Sequence, residues 1–321
     1  MGDAAPLVSI AEAPVPDDGK AEWFSGADGA TLRAALFAPK GAARGSVVVS
    51  PGRSEPIEKY FEVVQDLLGR GFVVLVHDWR GQGLSHRALP DRLKGHAAGF
   101  KDFLDDYQAL LAAFETRLPK PWIALGHSMG GCLTMLALAT GERRFAAAVL
   151  SAPMLGLNTG GKPAGGARAL AWLMSRSRYK GEYVLGDAGD PFVQSFPGDA
   201  LTHDAARYAR HRAQIHANPD IALGGITWGW TDFAFSACAF LRRTKGVEAV
   251  PIPVTIIAAG QDSRVLIADE KSIAGRIPNG RYVEIPDAFH EILIETDDRR
   301  AQFWAAFDET VDTAAPRLAA P

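Results

Sequence analysis

The strongest chemical signal in the chain is a run of five residues, Gly126-His127-Ser128-Met129-Gly130. It follows the apolar run Trp122-Ile123-Ala124-Leu125 and precedes the helical run from Cys132 to Leu138. A strand, a sharp turn and a helix are the context in which Gly-x-Ser-x-Gly becomes a nucleophile elbow, with the serine lifted out at the turn. Glycines at 126 and 130 suit a turn too tight for side chains. At a helix N-terminus, free backbone N–H groups and the helix dipole would favour negative charge developing next to Ser128. A plain N-cap serine between turn glycines would use the same residues, but the flanking strand and helix favour the elbow.

A serine hydroxyl is a poor nucleophile at neutral pH, so it needs a base, and the base needs an orienting carboxylate. In elbow-bearing chains the order is Ser, acid, His. Of eight histidines, His203, His211, His216 and His290 follow Ser128. The first three fall in an irregular aromatic stretch, whereas His290 lies just past the strand-like run Arg281 to Ile285, where a base should hang. For the acid, Asp262 directly follows the run Val254 to Ala259. Asp269 competes less well from a helical stretch, as does Asp287, which is too near His290 in sequence.

Acyl transfer also needs two donors for the carbonyl oxygen as it becomes an oxyanion, one of them the amide after the nucleophile. That donor is Met129. The second should come from the loop after Val47-Val48-Val49, which reads Ser50-Pro51-Gly52-Arg53-Ser54-Glu55-Pro56. The Arg53 amide is the first choice, with Gly52 and Ser54 as alternates.

The elements that must position these groups alternate between β-rich runs and helix-length amphipathic segments. Val47 to Val49, a helix over 56–70 and Phe72 to Val76 set the βαβ rhythm of a parallel sheet. Within that helix Tyr60, Phe61, Val63, Val64, Leu67 and Leu68 recur at three-to-four spacing, and Gly71 stops it. A helix over 100–117, a strand over 122–126, a helix after Ser128 and a strand over 146–151 continue the pattern. From Pro153 to Val250 the rhythm breaks into Gly-rich and aromatic-rich text, read as an inserted, mainly helical cap. Strands resume at 253–259 and 281–285, and a last helix carries Phe303, Trp304, Phe307 and Val311 on one side. The expected fold class is therefore α/β, a mostly parallel central sheet flanked by helices. Its core spans 20–152 and 251–312, its cap 153–250, and its loose termini 1–19 and 313–321.

With 321 residues, 47% hydrophobic, 22% charged and a formal charge of −3, the chain has enough apolar material for a large core, and no basic surplus points to nucleic acid. Two cysteines, Cys132 and Cys238, make a disulfide framework improbable and suit a reducing compartment. The first sixteen residues carry no Lys, no Arg and no long apolar run, so neither a secretory signal nor a membrane anchor is expected. A cytoplasmic location follows, with peripheral contact at the inner membrane face left open. Gly81-Gln82-Gly83 lacks the third glycine of a dinucleotide fingerprint, and His77, His86 and His96 lack metal spacing. Neither a cofactor nor a metal is expected.

Taken together, Pro51 to Tyr60, Asp78-Trp79-Arg80-Gly81-Gln82-Gly83-Leu84-Ser85, Gly126 to Gly131 and Ser151-Ala152-Pro153-Met154 resemble the lysophospholipase L2 and monoacylglycerol lipase branch of the α/β hydrolases, of the serine aminopeptidase S33 type. Pro51-Gly52 stands where that family often has His-Gly. The resemblance implies an esterase for single-chain lipid esters, lysophospholipids or monoacylglycerols, with Ser128, Asp262 and His290 as the triad and Met129 and Arg53 at the oxyanion; peripheral membrane contact through the cap is left open. Two other readings use the same residues: an acyltransferase, and a non-catalytic binding protein on the same fold.

Overall fold

The computed structural model describes residues 2–184, 189–198 and 201–317. The strands are β1 (Ala4–Ala5), β2 (Lys20–Ser25), β3 (Thr31–Phe37), β4 (Gly45–Ser50), β5 (Phe72–His77), β6 (Trp122–His127), β7 (Phe145–Ser151), β8 (Val254–Ala259) and β9 (Gly280–Ile285). The helices are α1 (Phe61–Gly69), α2 (Phe100–Phe114), α3 (Ser128–Ala139), α4 (Ala164–Ser175), α5 (Ala205–Ala217), α6 (Trp228–Arg243), α7 (Ile267–Ala274) and α8 (Asp297–Ala314). All nine strands join one sheet in the order β1-β2-β3-β5-β4-β6-β7-β8-β9. The pairings β1·β2, β2·β3 and β3·β5 are antiparallel and the rest are parallel.

Every residue of β4, β5, β6 and β8 is buried, which is why these strands read as unbroken apolar runs: helices cover both faces. On one face Phe61, Val64 and Leu67 of α1 meet Phe303, Phe307 and Val311 of α8 over Val47 and Val74. On the other, Phe103 and Leu110 of α2, Leu133 and Leu136 of α3 and Phe233 and Leu241 of α6 close over Val48 and Leu75. Because β4, β6, β7, β8 and β9 run parallel, their carboxyl ends share one edge, and the loops that follow them converge there, where ligands of such sheets bind.

Three boundaries differ from the sequence reading. The first nineteen residues are not loose: β1 pairs with β2, the Val8 amide donates to Glu58, and Arg33 donates to the Pro6 carbonyl. Their small and prolyl residues show no period, so their attachment is invisible locally. The span 153–250 is not all cap, because α6 packs its Trp230, Phe233, Ala237 and Cys238 into the main core; its aromatic richness serves the sheet layer. At the other end Ala315 is buried and its carbonyl accepts from Arg44, so order extends past 312, while 318–321 of the expected loose tail lie outside the described residues.

One buried group works against this fold. Glu270 on α7 is fully buried, and neither carboxylate oxygen has a hydrogen-bond partner among the described residues. Burial first, and then the negative charge of Asp262 and Glu284, push its carboxyl well above the ordinary value of 4.5. The folded chain thus holds a proton that the unfolded chain gives up, so this group's contribution to stability falls as pH rises above about 4.5. Glu270→Met should raise stability by about 1–3 kcal/mol at pH 8, a gain that shrinks toward pH 4. Thermal melts at both pH values check this, and an equal gain at both would remove the explanation.

Candidate active site

Ser128 begins α3 directly after β6 with φ of +48°, a left-handed conformation that L-residues adopt only under constraint. The constraint comes from the glycines on either side. A Cβ on Gly130 would stand 2.0 Å from the Ser50 carbonyl oxygen and 2.4 Å from that of Pro51, and one on Gly126 would stand 2.7 Å from the Gly131 α-carbon. The first turn of α3 therefore lies directly on the carboxyl end of β4. Met129 falls in that first turn, whose amides lack partners within the helix.

The three residues expected to act together meet in space. The Ser128 hydroxyl and His290 Nε2 are 2.9 Å apart, and His290 Nδ1 lies 2.6 Å from Asp262 Oδ2. Asp262 sits in the turn after β8, where its Oδ1 accepts from the Arg264 and Val265 amides at 2.7 and 2.9 Å. Burial acts to raise its pKa, but the His290 hydrogen bond, the charge it shares with that ring and those two amides outweigh it and leave the carboxyl below its usual value. An ionised Asp262 fixes the tautomer with the proton on Nδ1, leaving Nε2 to accept from the serine. Of the competing groups, Asp269 bonds to Arg242, His203 to Glu295, and His216 packs on Phe192. Half-buried His211 is held neutral, its pKa lowered to about 3 mainly by desolvation.

In the loop after β4, the Gly52 amide donates to Glu55 Oε2 at 2.5 Å and the Ser54 amide to Gln82 Oε1 at 2.6 Å. Both alternates to Arg53 are thus committed to internal acceptors. Arg53 itself sends its guanidinium to the Gly224 carbonyl at 2.7 Å. Gln82 belongs to the turn 78–85, which Asp78 organises by accepting from the Leu84 and Ile57 amides and from Arg33.

Beneath the site lies a polar cluster that the motif search missed. Lys59 Nζ donates to Glu55 at 2.7 Å and to Glu291 at 2.6 Å, and Glu55 also accepts from Tyr60 at 2.6 Å. Against burial, which disfavours charge on both, the mutual attraction keeps Glu55 well below and Lys59 well above their ordinary values. His127, held neutral by burial, packs its ring 5.0 Å from that of His290 and 3.7 Å from Glu55. The i, i+4 spacing of Glu55 and Lys59 was the available local signal; Glu291 could not be inferred from spacing.

Sheet order, helices on both faces and a serine elbow at the carboxyl edge define an α/β hydrolase. A family model described as Hydrolase_4, serine aminopeptidase S33, matches residues 41–297, and the chain belongs to that family. Lysophospholipase L2 of Escherichia coli (strain K12) is 33% identical over 291 residues, 87% of this chain and 83% of that one. The monoacylglycerol lipase of Mycolicibacterium smegmatis is 23% identical over 279 residues, 86% and 91% of the two chains. Among solved structures, a soluble variant of Saccharomyces cerevisiae monoglyceride lipase aligns with a TM-score of 0.74 over 93% of this chain and 97% of that one, at 18% identity, a likeness of fold.

Removing Lys59 leaves the buried Glu55 and the half-buried Glu291 carboxylates without their counter-charge. Lys59→Met should cost about 3–5 kcal/mol by denaturant unfolding. A loss under about 1 kcal/mol would mean the cluster is not closed as described.

Proposed function

We propose that this enzyme, a carboxylic-ester hydrolase, cleaves single-chain lipid esters, lysophospholipids or monoacylglycerols, through an acyl-serine intermediate on Ser128. The observation that carries the chemistry is His290 standing between Ser128 Oγ and Asp262 Oδ2 at 2.9 and 2.6 Å. In the first half-reaction His290 Nε2 takes the Ser128 proton as Oγ attacks the carbonyl carbon, and the Met129 and Arg53 amides receive the oxyanion. Asp262 stabilises the imidazolium, which then passes its proton to the departing alkoxide. In the second half-reaction His290 deprotonates water as it attacks the acyl-serine carbonyl; the acyl C–Oγ bond then breaks, His290 returns the proton to Ser128 Oγ, and the fatty acid leaves. The commitment of the Gly52 and Ser54 amides elsewhere supports Arg53 as the second donor.

The lipid part of the proposal rests on what the relatives are named for, lysophospholipase L2 in one and monoacylglycerol lipase in the other. The segment between β7 and α6 is taken as the cap. In support, the Leu201 carbonyl accepts from the Glu291 amide beside His290, and Gly224 holds Arg53. A membrane surface at its cytoplasmic face is the second proposed partner. None of the described helices is long and apolar enough to cross a membrane, so that contact would be peripheral.

Ser128→Ala should lower kcat/KM for a short nitrophenyl ester about 10⁶-fold and abolish labelling by a fluorophosphonate. Asp262→Asn should cost about 10⁴-fold, with labelling slowed. A wild-type protein that folds yet takes no label would instead be a binding protein. A panel of lysophospholipids, monoacylglycerols and short esters, run with and without an added alcohol, reads the head group and any acyl transfer. Preference for short soluble esters over both lipids would refute the lipid assignment.

A further inference from the structure

Gly81-Gln82-Gly83 lacks the third glycine of a dinucleotide fingerprint, yet both of its glycines have a structural reason. They stand at positive φ, +80° and +49°, and a Cβ on Gly83 would lie 2.1 Å from Asp78 Oδ2. A side chain at Gly83 is therefore excluded. The tight turn they make presents Gln82, which is 4% exposed and reaches into the loop after β4 rather than into solvent.

Gln82 meets that loop with both ends of its carboxamide. Oε1 accepts from the Ser54 amide at 2.6 Å, and Nε2 donates to the Gly52 carbonyl at 3.4 Å. The two atoms cannot be exchanged, because a backbone N–H faces one and a carbonyl oxygen the other. The held groups bracket Arg53. The Gly52 carbonyl shares a planar peptide unit with the Arg53 N–H, and in a trans peptide the two point opposite ways. Fixing the carbonyl therefore fixes the direction of the amide. The adjoining peptides are held as well: the Pro51 carbonyl accepts from Trp79 Nε1 at 2.8 Å, and Ser54 Oγ donates to the Arg53 carbonyl at 2.5 Å. Ser54 itself stands at φ of +62°, a conformation that persists only under such constraint. Gly52 lies against the elbow, where a Cβ would stand 3.0 Å from His127 Cδ2.

We propose that Gln82 is a positioning residue for ester hydrolysis: its carboxamide sets the Gly52–Arg53 peptide so that the Arg53 amide faces the forming oxyanion. The inference rests on the oxyanion role proposed above for Arg53 and names what aims that donor; it does not depend on which ester is cleaved. Gln82 touches no reacting atom. An N–H that donates to an anion makes the carbonyl of its own peptide a better acceptor, so the Nε2 contact, long at rest, tightens as the oxyanion forms. Support that is stronger in the transition state than in the ground state raises kcat rather than lowering KM.

The test is steady-state hydrolysis of a short nitrophenyl ester by Gln82→Met, whose side chain has similar length but no strong donor or acceptor. Removing an oxyanion donor outright costs about 10²–10³-fold in kcat, so a donor left in place but unaimed should cost about 10–10²-fold, with KM nearly unchanged. The second readout is affinity for a trifluoromethyl ketone, to which Ser128 Oγ adds to form a hemiketal oxyanion as its proton passes to His290. The matching methyl ketone, which binds without that addition, is the control. Affinity for the first should fall in step with kcat, and affinity for the second should hold. A merely structural glutamine would weaken both ketones or neither. If thermal melts show Gln82→Met unfolded, Gln82→Glu is read in the same way at about pH 9, where an ordinary carboxyl is ionised; it keeps an acceptor for Ser54 and offers Gly52 no donor. A folded variant with wild-type kcat, or with both ketones weakened alike, overturns the inference, while wild-type hydrolysis that is lost in Ser128→Ala leaves the acyl-serine reading standing. A wild-type protein that takes no fluorophosphonate overturns that reading, and this one with it.

Discussion

The contact on which the rest of this molecule depends is the approach of Gly130 to the Ser50 and Pro51 carbonyls at the end of β4. It sets the start of α3 against the loop that carries Arg53, bringing two backbone amides from distant parts of the chain to one edge of the sheet. It also forces Ser128 to positive φ, at a cost on the order of 1–3 kcal/mol. Such a strained residue persists only where its surroundings leave no alternative. Here the surroundings are a helix buried from Met129 to Leu138 and a strand buried along its whole length.

Polar groups brace that edge from below. Asp78 ties the turn 78–85 to Arg33 and to the Ile57 amide, and Gln82 carries the tie up to the Ser54 amide. Glu55 holds the Gly52 amide while Lys59 links Glu55 to Glu291, the neighbour of His290. Buried ion pairs of this kind add little net stability over well-packed apolar groups. What they supply here is position. The loop after β4 and the loop bearing His290 are joined through one ammonium, so neither shifts without disturbing the other.

How much of this was legible in the sequence follows from the range of each signal. Ser128 stands out within five residues, and Asp262 and His290 are singled out because each follows a short strand-like run at the sheet's carboxyl edge. The parallel strands were plain for the same reason. The hairpin of β2 and β3 was not read, because Lys20–Ser25 and Thr31–Phe37 mix polar and apolar residues without a clean period. The attachment of the first nineteen residues escaped because it depends on Arg33 and Glu58, and α6 was misplaced because aromatic content does not tell which layer it serves. Lys59 is the clearest limit: half of its pairing lies four residues away, and the other half 232.

That last separation also orders events in time. Ser128 and His290 are 162 positions apart in the chain, and ribosomes add roughly 5–20 residues per second, so on the order of 8–32 s pass between the two leaving the peptidyl-transferase centre. Asp262 is added before that interval closes, but the elbow has no base until its end, and Lys59 has only Glu55. A growing chain, and any fragment released early, therefore carries an exposed serine that cannot attack an ester. On the route proposed above, the base is the last of the three reacting groups to join the growing chain.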